Sequence, residues 1–184
     1  MSAMNPIHSL WGNFFKDRCR ENEATMTLLG QVPLFAGLRK SELRDLERLV
    51  HRRLYRDGEV VFWEGEPGVG MYIVQRGEVG VYKEYGKRGQ KELARLEAGD
   101  FFGEMALLEG DCRSATAVAS GETCLFGLIH PDLFHLFRRR PHLGVKLLSA
   151  LGDVLARRLR RTDQELQRLS QDSLVVETDG GCQP

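Results

Sequence analysis

Apolar positions recur with a helical period at both ends of the chain and with short, alternating runs in the middle. Ile7, Leu10, Trp11, Phe14 and Phe15 step by 3, 1, 3 and 1, which places them on one helical face. The mixed charge around them favours a helix packed on a core over a membrane anchor. A short helix is predicted after Ser41, a residue able to cap, with Leu43, Leu46, Leu49 and Val50 on its apolar side. Between the two, Val32-Pro33-Leu34-Phe35 reads as an apolar elbow. Strand-like runs then follow at 59–63, 71–75, 78–82, 92–96, 115–119 and 123–129, spaced about ten residues apart and punctuated by glycine. After His130-Pro131, Leu133, Phe134, Leu136 and Phe137 form a short helix that must stop before Pro141, because the residue preceding proline avoids the helical region. A long helix is expected from His142 to Ser170. Its seam Leu155, Leu159, Thr162, Leu166 and Leu169 steps by 4, 3, 4 and 3. A 3.5-residue period predicts a parallel two-helix coiled coil between two copies; the competing reading packs the stripe back on the strands.

No long helix interrupts the strand runs, so they should pair antiparallel. The expected fold class is α+β: an antiparallel β-roll, jelly-roll-like, flanked by N-terminal helices and a long C-terminal helix. Four segments are expected: helical over 1–50, β-roll over 51–130, C-terminal helices over 131–170 and a flexible tail over 171–184. Of the 20 glycines in 184 residues, eleven lie between Gly58 and Gly110, where a roll needs tight turns.

Charge and cysteine content narrow the function classes. Twenty-six basic residues balance twenty-six acidic ones, so no global charge recommends nucleic acid or an anionic membrane. Locally, residues 138–168 hold nine basic side chains against three acidic, which is either a solvated helix flank or a phosphate-contacting surface. Cys19, Cys112, Cys124 and Cys182 form no C-x-x-C pair, so neither a zinc site nor a disulfide framework is expected, and a reduced cytoplasm is the expected setting. No histidine lies between His51 and His130, which argues against a metal held on central strands, and His130, His135 and His142 read as polar surface. Cys112 beside Arg113 is either a redox trigger or a turn filler.

The chemistry concentrates in 101–116, FFGEMALLEGDCRSAT. A glycine after a strand permits close backbone approach, and the start of a short helical turn offers N–H groups to an anion. Arg113 supplies a permanent charge in a fork that fits phosphate. Glu104 would repel a bare anion, but suits a ligand that also donates a hydroxyl, as a ribose phosphate does. The alternatives are an ion pair of Arg113 with Glu109 or Asp111, and a helix-capping role for Glu104.

Residues 103–116 resemble the phosphate-binding cassette of the cyclic-nucleotide-binding domain family. Gly58-Glu59-Val60-Val61-Phe62, Glu64-Gly65-Glu66-Pro67-Gly68, Met71-Tyr72-Ile73-Val74 and Gly77-Glu78-Val79 are similar to that family's first strands and turn. The resemblance implies that Glu104 accepts from the ribose 2′-OH and that Arg113 holds the exocyclic phosphate oxygens. It also implies that Gly103, Ala106 and Ser114 complete the cassette through backbone N–H groups, with a hydroxyl added at Ser114, and that Met105 lies among the ligand-binding residues. Val81 and Leu96 correspond to apolar walls of the base pocket, although inward strand residues serve equally as plain core. Thr162 resembles a threonine on the long helix of catabolite-activator members that meets the adenine amino group; as the polar residue of the seam it also suits a register-setting role.

The function expected from the resemblance is a non-enzymatic cyclic nucleotide sensor, cAMP favoured over cGMP, with no other cofactor and no metal. It would be a homodimer without membrane contact that signals to an unidentified protein by helix repacking. The alternatives are a DNA-binding regulator, for which no helix-turn-helix pattern follows the long helix, and a cGMP or cyclic dinucleotide sensor.

Overall fold

The computed structural model describes residues 25–107 and 112–178. The apolar face expected at 7–15 and the last six tail positions lie outside the described residues. Residues 25–31 are helical (α1), a 3-10 turn covers Pro33–Phe35, and α2 spans Lys40–Glu47. The strands are β1 (His51–Tyr55), β2 (Val60–Phe62), β3 (Gly70–Lys83), β4 (Lys91–Leu96), β5 (Phe101–Phe102) and β6 (Thr116–Ile129). A second 3-10 turn over Glu104–Leu107 follows β5, and the chain continues as α3 (His130–Arg139) and α4 (Pro141–Thr178).

The sheet is antiparallel throughout, as expected, and its roll follows from two long shared strands. The C-terminal half of β6 pairs with β1 on one side and with the start of β3 on the other, and that part of β3 pairs with β5. The N-terminal half of β6 pairs with β2 and with the end of β3, which in turn pairs with β4. Each half is thus a four-stranded layer; the runs expected as separate strands at 71–75 and 78–82 are one bent strand, and those at 115–119 and 123–129 are likewise joined in β6. The bend coincides with a register shift around Arg76 and with Gly77 at φ +85°. A Cβ there would lie 2.6 Å from Thr123 Oγ1, while that hydroxyl donates to the Glu78 carbonyl at 3.0 Å. Gly77 therefore permits the fold-over that Thr123 pins.

Strand alternation sorts the side chains into two cores. Val74, Val79, Phe102, Ala117 and Leu125 fill the roll, with Phe62, Tyr72 and Leu96 packed against them. Met71, Ile73, Phe126 and Leu128 face the helices and join Leu29, Val32, Phe35, Leu133, Leu143, Leu147 and Leu151. Leu107 belongs to this helical core, so the turn after β5 is anchored in it.

Two helix ends also differ from expectation. Ser41 lies inside α2 rather than capping it: the Arg39 backbone N–H donates to Glu42 Oε2 at 2.7 Å, so a carboxylate one turn in satisfies the helix end. α4 runs to Thr178, eight residues beyond the expected end at Ser170, because no glycine or proline interrupts the chain between Gly152 and Gly180. α3 does end before Pro141, which occupies the first position of α4 where its missing N–H costs nothing.

α4 carries two stripes. Leu143, Leu147, Leu151 and Val154 are buried against the roll. Val145, Leu148, Leu159 and Leu166 are exposed, and with Gly152, Leu155 and Thr162 between them they step by 3, 4, 3, 4, 3 and 4. The exposed stripe starts ten residues earlier than the expected Leu155, and Leu155 itself is half-buried against the helical core, where the two stripes meet.

Candidate ligand site at the mouth of the roll

Arg113 enters the site with its backbone held on both sides. Its N–H donates to the Glu66 carbonyl at 2.7 Å, and its carbonyl accepts from Gly65 N–H at 2.8 Å. Gly65 at φ +84° makes the turn that presents these groups, and the Glu64 N–H donates to Thr116 Oγ1 at 3.0 Å just beyond. Cys112 bridges to Pro67 through its backbone and leaves its thiol exposed. The 64–68 turn and the 112–116 run are thus one unit in space.

The Arg113 side chain is only 6% exposed. Nη1 donates to the Gly103 carbonyl at 3.1 Å, while Nε is buried without a partner. No carboxylate among the described residues lies in ion-pairing range; Glu109 and Asp111, the alternative partners, are outside the described residues. Burial pushes the guanidinium pKa down, while Tyr72, Glu66 and Glu104 pull it back up. It remains a cation at any physiological pH. Gly103 sits at φ +71°, and a Cβ on it would come 2.5 Å from Arg113 Nη1. Gly103→Ala should therefore displace the guanidinium and weaken anion capture about tenfold, measured by cAMP titration calorimetry; unchanged affinity would show that the close approach is dispensable.

Glu104 opens the 3-10 turn and is 5% exposed. Among the described residues its Oε1 accepts from Arg158 Nη1 of α4 rather than capping the turn, and Arg158 Nη2 donates to the Phe101 carbonyl at 3.1 Å. The Arg158 guanidinium also lies 5.0 Å from the Phe101 ring centre. Arg158 was not singled out from the sequence, although it precedes Thr162 by four residues and so shares its helix face. A buried carboxylate held by a helix 54 residues away is a contact that only folding creates.

The remaining expected residues divide. Met105 is half exposed at 51% and Ser114 is exposed, while Ala106 lies in the 3-10 turn. Val81 and Leu96 lie on paired strands of the second layer, where Val79 opposes Leu96 and Val81 opposes Ala94, so all four share a face. Both are half-buried, and Leu96 packs on the roll core. Thr162 is exposed, and its hydroxyl donates to the Arg158 carbonyl at 3.1 Å rather than touching the cassette. Among the described residues, no three metal-ligating side chains cluster, and no helix is long and apolar enough to cross a membrane.

A buried cation with an unused donor, a buried carboxylate and a glycine turn between them, at one end of an antiparallel roll, define a small-ligand regulatory domain of the β-roll class. Residues 52–140 carry a cyclic nucleotide-binding domain, the family whose model they match. It is 39% identical over 138 residues to the cyclic AMP receptor protein of Thermus thermophilus, covering 75% of this chain and 62% of that protein. It is 33% identical over 165 residues to a cyclic nucleotide-gated potassium channel of Rhizobium etli, covering 86% of this chain and 41% of the channel. A crystal structure of a cyclic nucleotide-binding domain from Methylobacillus flagellatus superposes with a TM-score of 0.70 at 29% identity, covering 81% of this chain and 84% of that one. The chain spans less than two thirds of the length of the curated relatives it matches. These relatives are regulatory receptors and channels.

Proposed function

We propose that this chain is a cAMP sensor that reports ligand capture through α4 to a second copy of itself. The observation that carries the reading is the buried Arg113, whose Nε lacks a partner and whose charge meets no carboxylate among the described residues. A buried uncompensated cation is costly unless an anion completes it. A cyclic phosphate supplies that anion, with Gly103, Ala106 and Ser114 offering donors around it. A 3′,5′-cyclic phosphate leaves the 2′-OH as the free ribose hydroxyl, and the Glu104 carboxylate accepts from it. Val81 and Leu96 wall the base.

Thr162 supports adenine over guanine. Its proton is committed to the Arg158 carbonyl, which leaves its lone pairs to accept from the adenine 6-amino group; guanine presents a carbonyl there instead. The same helix supports the output route. Arg158 ties α4 to Glu104, so a 2′-OH that competes for this carboxylate acts directly on the helix. The outward 3-4 seam from Val145 to Leu166 matches a parallel homodimer.

The test is a thermal-shift series with cAMP, cGMP, cyclic di-GMP and 2′-deoxy-cAMP. Ligand at 100 times its dissociation constant adds about 2.7 kcal/mol, worth roughly 5–11 °C for a chain of this size. cAMP should give the largest shift, and absence of a shift with every nucleotide would sink the sensor reading. The deoxy analogue should bind about 10–150-fold more weakly, since it loses a hydrogen bond to a charged acceptor. Equal shifts would remove Glu104 from its assigned role.

A further inference from the structure

The Arg113 guanidinium is held by more than its hydrogen bond to the Gly103 carbonyl. Its central carbon lies 4.1 Å from the centre of the Phe62 ring and 5.8 Å from that of Tyr72. The two rings are 6.0 Å apart, and Phe102 closes the cluster at 5.8 Å from Phe62 and 5.6 Å from Tyr72. Phe62 ends β2, immediately before the 64–66 turn that clamps the Arg113 backbone, so strand and turn fix the ring under the guanidinium. We propose that Phe62 is the positioning residue of the anion site, its ring face taking the place that a carboxylate fills beneath most buried arginines.

The argument is electrostatic and entropic, and it rests on Arg113 being the phosphate ligand. A ring face attracts a guanidinium through its quadrupole, more strongly where water is excluded. A carboxylate in the same place would also steady the side chain, but it would neutralise the charge and compete for the donors that phosphate needs. The ring accepts no in-plane hydrogen bond, so the guanidinium edge stays available and Nε stays unspent. A long side chain already ordered loses less freedom when ligand arrives, which is worth up to about tenfold in affinity for one such residue.

The experiment replaces Phe62 in the full chain with 3,4,5-trifluorophenylalanine, which keeps the shape of the ring but drains its face of negative charge. Phe62→Leu, Phe62→Tyr and Arg113→Gln are made alongside, and cAMP is titrated calorimetrically into each. The fluorinated chain should bind cAMP about tenfold more weakly, with its ligand-free melting midpoint close to native. Phe62→Leu should weaken binding at least as much, and Phe62→Tyr should restore it. If Arg113→Gln loses binding while the fluorinated and Phe62→Leu chains bind as the native chain does, the positioning role is overturned and the phosphate role stands. If affinity tracks the ligand-free midpoint across the series, Phe62 is packing alone and the inference fails. If Arg113→Gln itself binds as native, the reading beneath the inference falls with it.

Discussion

Arg113→Gln should abolish the cAMP-induced thermal shift while leaving the ligand-free midpoint at or above that of the native chain. Each charge-assisted hydrogen bond lost to phosphate is worth about 1.5–3 kcal/mol, so two of them weaken binding roughly 10²–10⁴-fold. Folding responds differently because the guanidinium is buried and ion-paired with no described residue. Its desolvation opposes folding, and a neutral amide, which ends two bonds short of the Nη atoms, removes the buried charge and relieves that cost. The opposed responses separate a ligand role from a structural one. A variant that melts well below the native chain yet still binds cAMP would assign Arg113 to the scaffold instead.

Leu159→Glu should convert a dimer into a monomer. Leu159 is 63% exposed on the outward stripe of α4, so the substitution removes little packing inside the chain. Across a two-fold seam the same change occurs twice, forfeiting about 1.5–3 kcal/mol per leucine and setting two carboxylates against each other. Dimerisation weakens by roughly 10²–10⁴-fold before that repulsion is counted. Sedimentation equilibrium across the micromolar range checks it, with Leu143→Ala as contrast: that residue faces the roll, so its loss should lower the melting midpoint without changing the association state. A native chain that sediments as a monomer, or a Leu159→Glu chain that still dimerises, would overturn the seam.

The elements legible in the sequence were those whose periodicity is local. Leu133 to Phe137 before Pro141 marks α3, and the runs at 92–96 and 123–129 lie within β4 and β6. β1 escaped notice because His51–Tyr55 is mostly exposed and polar, and its pairing with β6 rather than its own composition makes it a strand. β5, two residues long, exists through its bridge to Tyr72 and Ile73. In the site, Gly103, Glu104 and Arg113 stood out as residue types suited to an anion with a hydroxyl. Arg158 and Phe62 did not, because an arginine among basic neighbours and an aromatic on a short strand look like solvated surface and plain core.

The sequence by itself determined the antiparallel roll, its helical flanks and the cassette, since turns, periods and the glycine–acid–arginine spacing are properties of neighbours along the chain. Only the tertiary structure decided how the cassette is supported. It set the 64–66 turn against the Arg113 backbone, the Phe62 ring beneath its charge and Arg158 on the Glu104 carboxylate. It also decided which of two apolar stripes on α4 faces the roll and which stays outside. Both stripes satisfy a helical period, and a period identifies a face without naming what that face meets. That choice belongs to the long-range packing of Leu143, Leu147 and Leu151 against strands more than a dozen residues away.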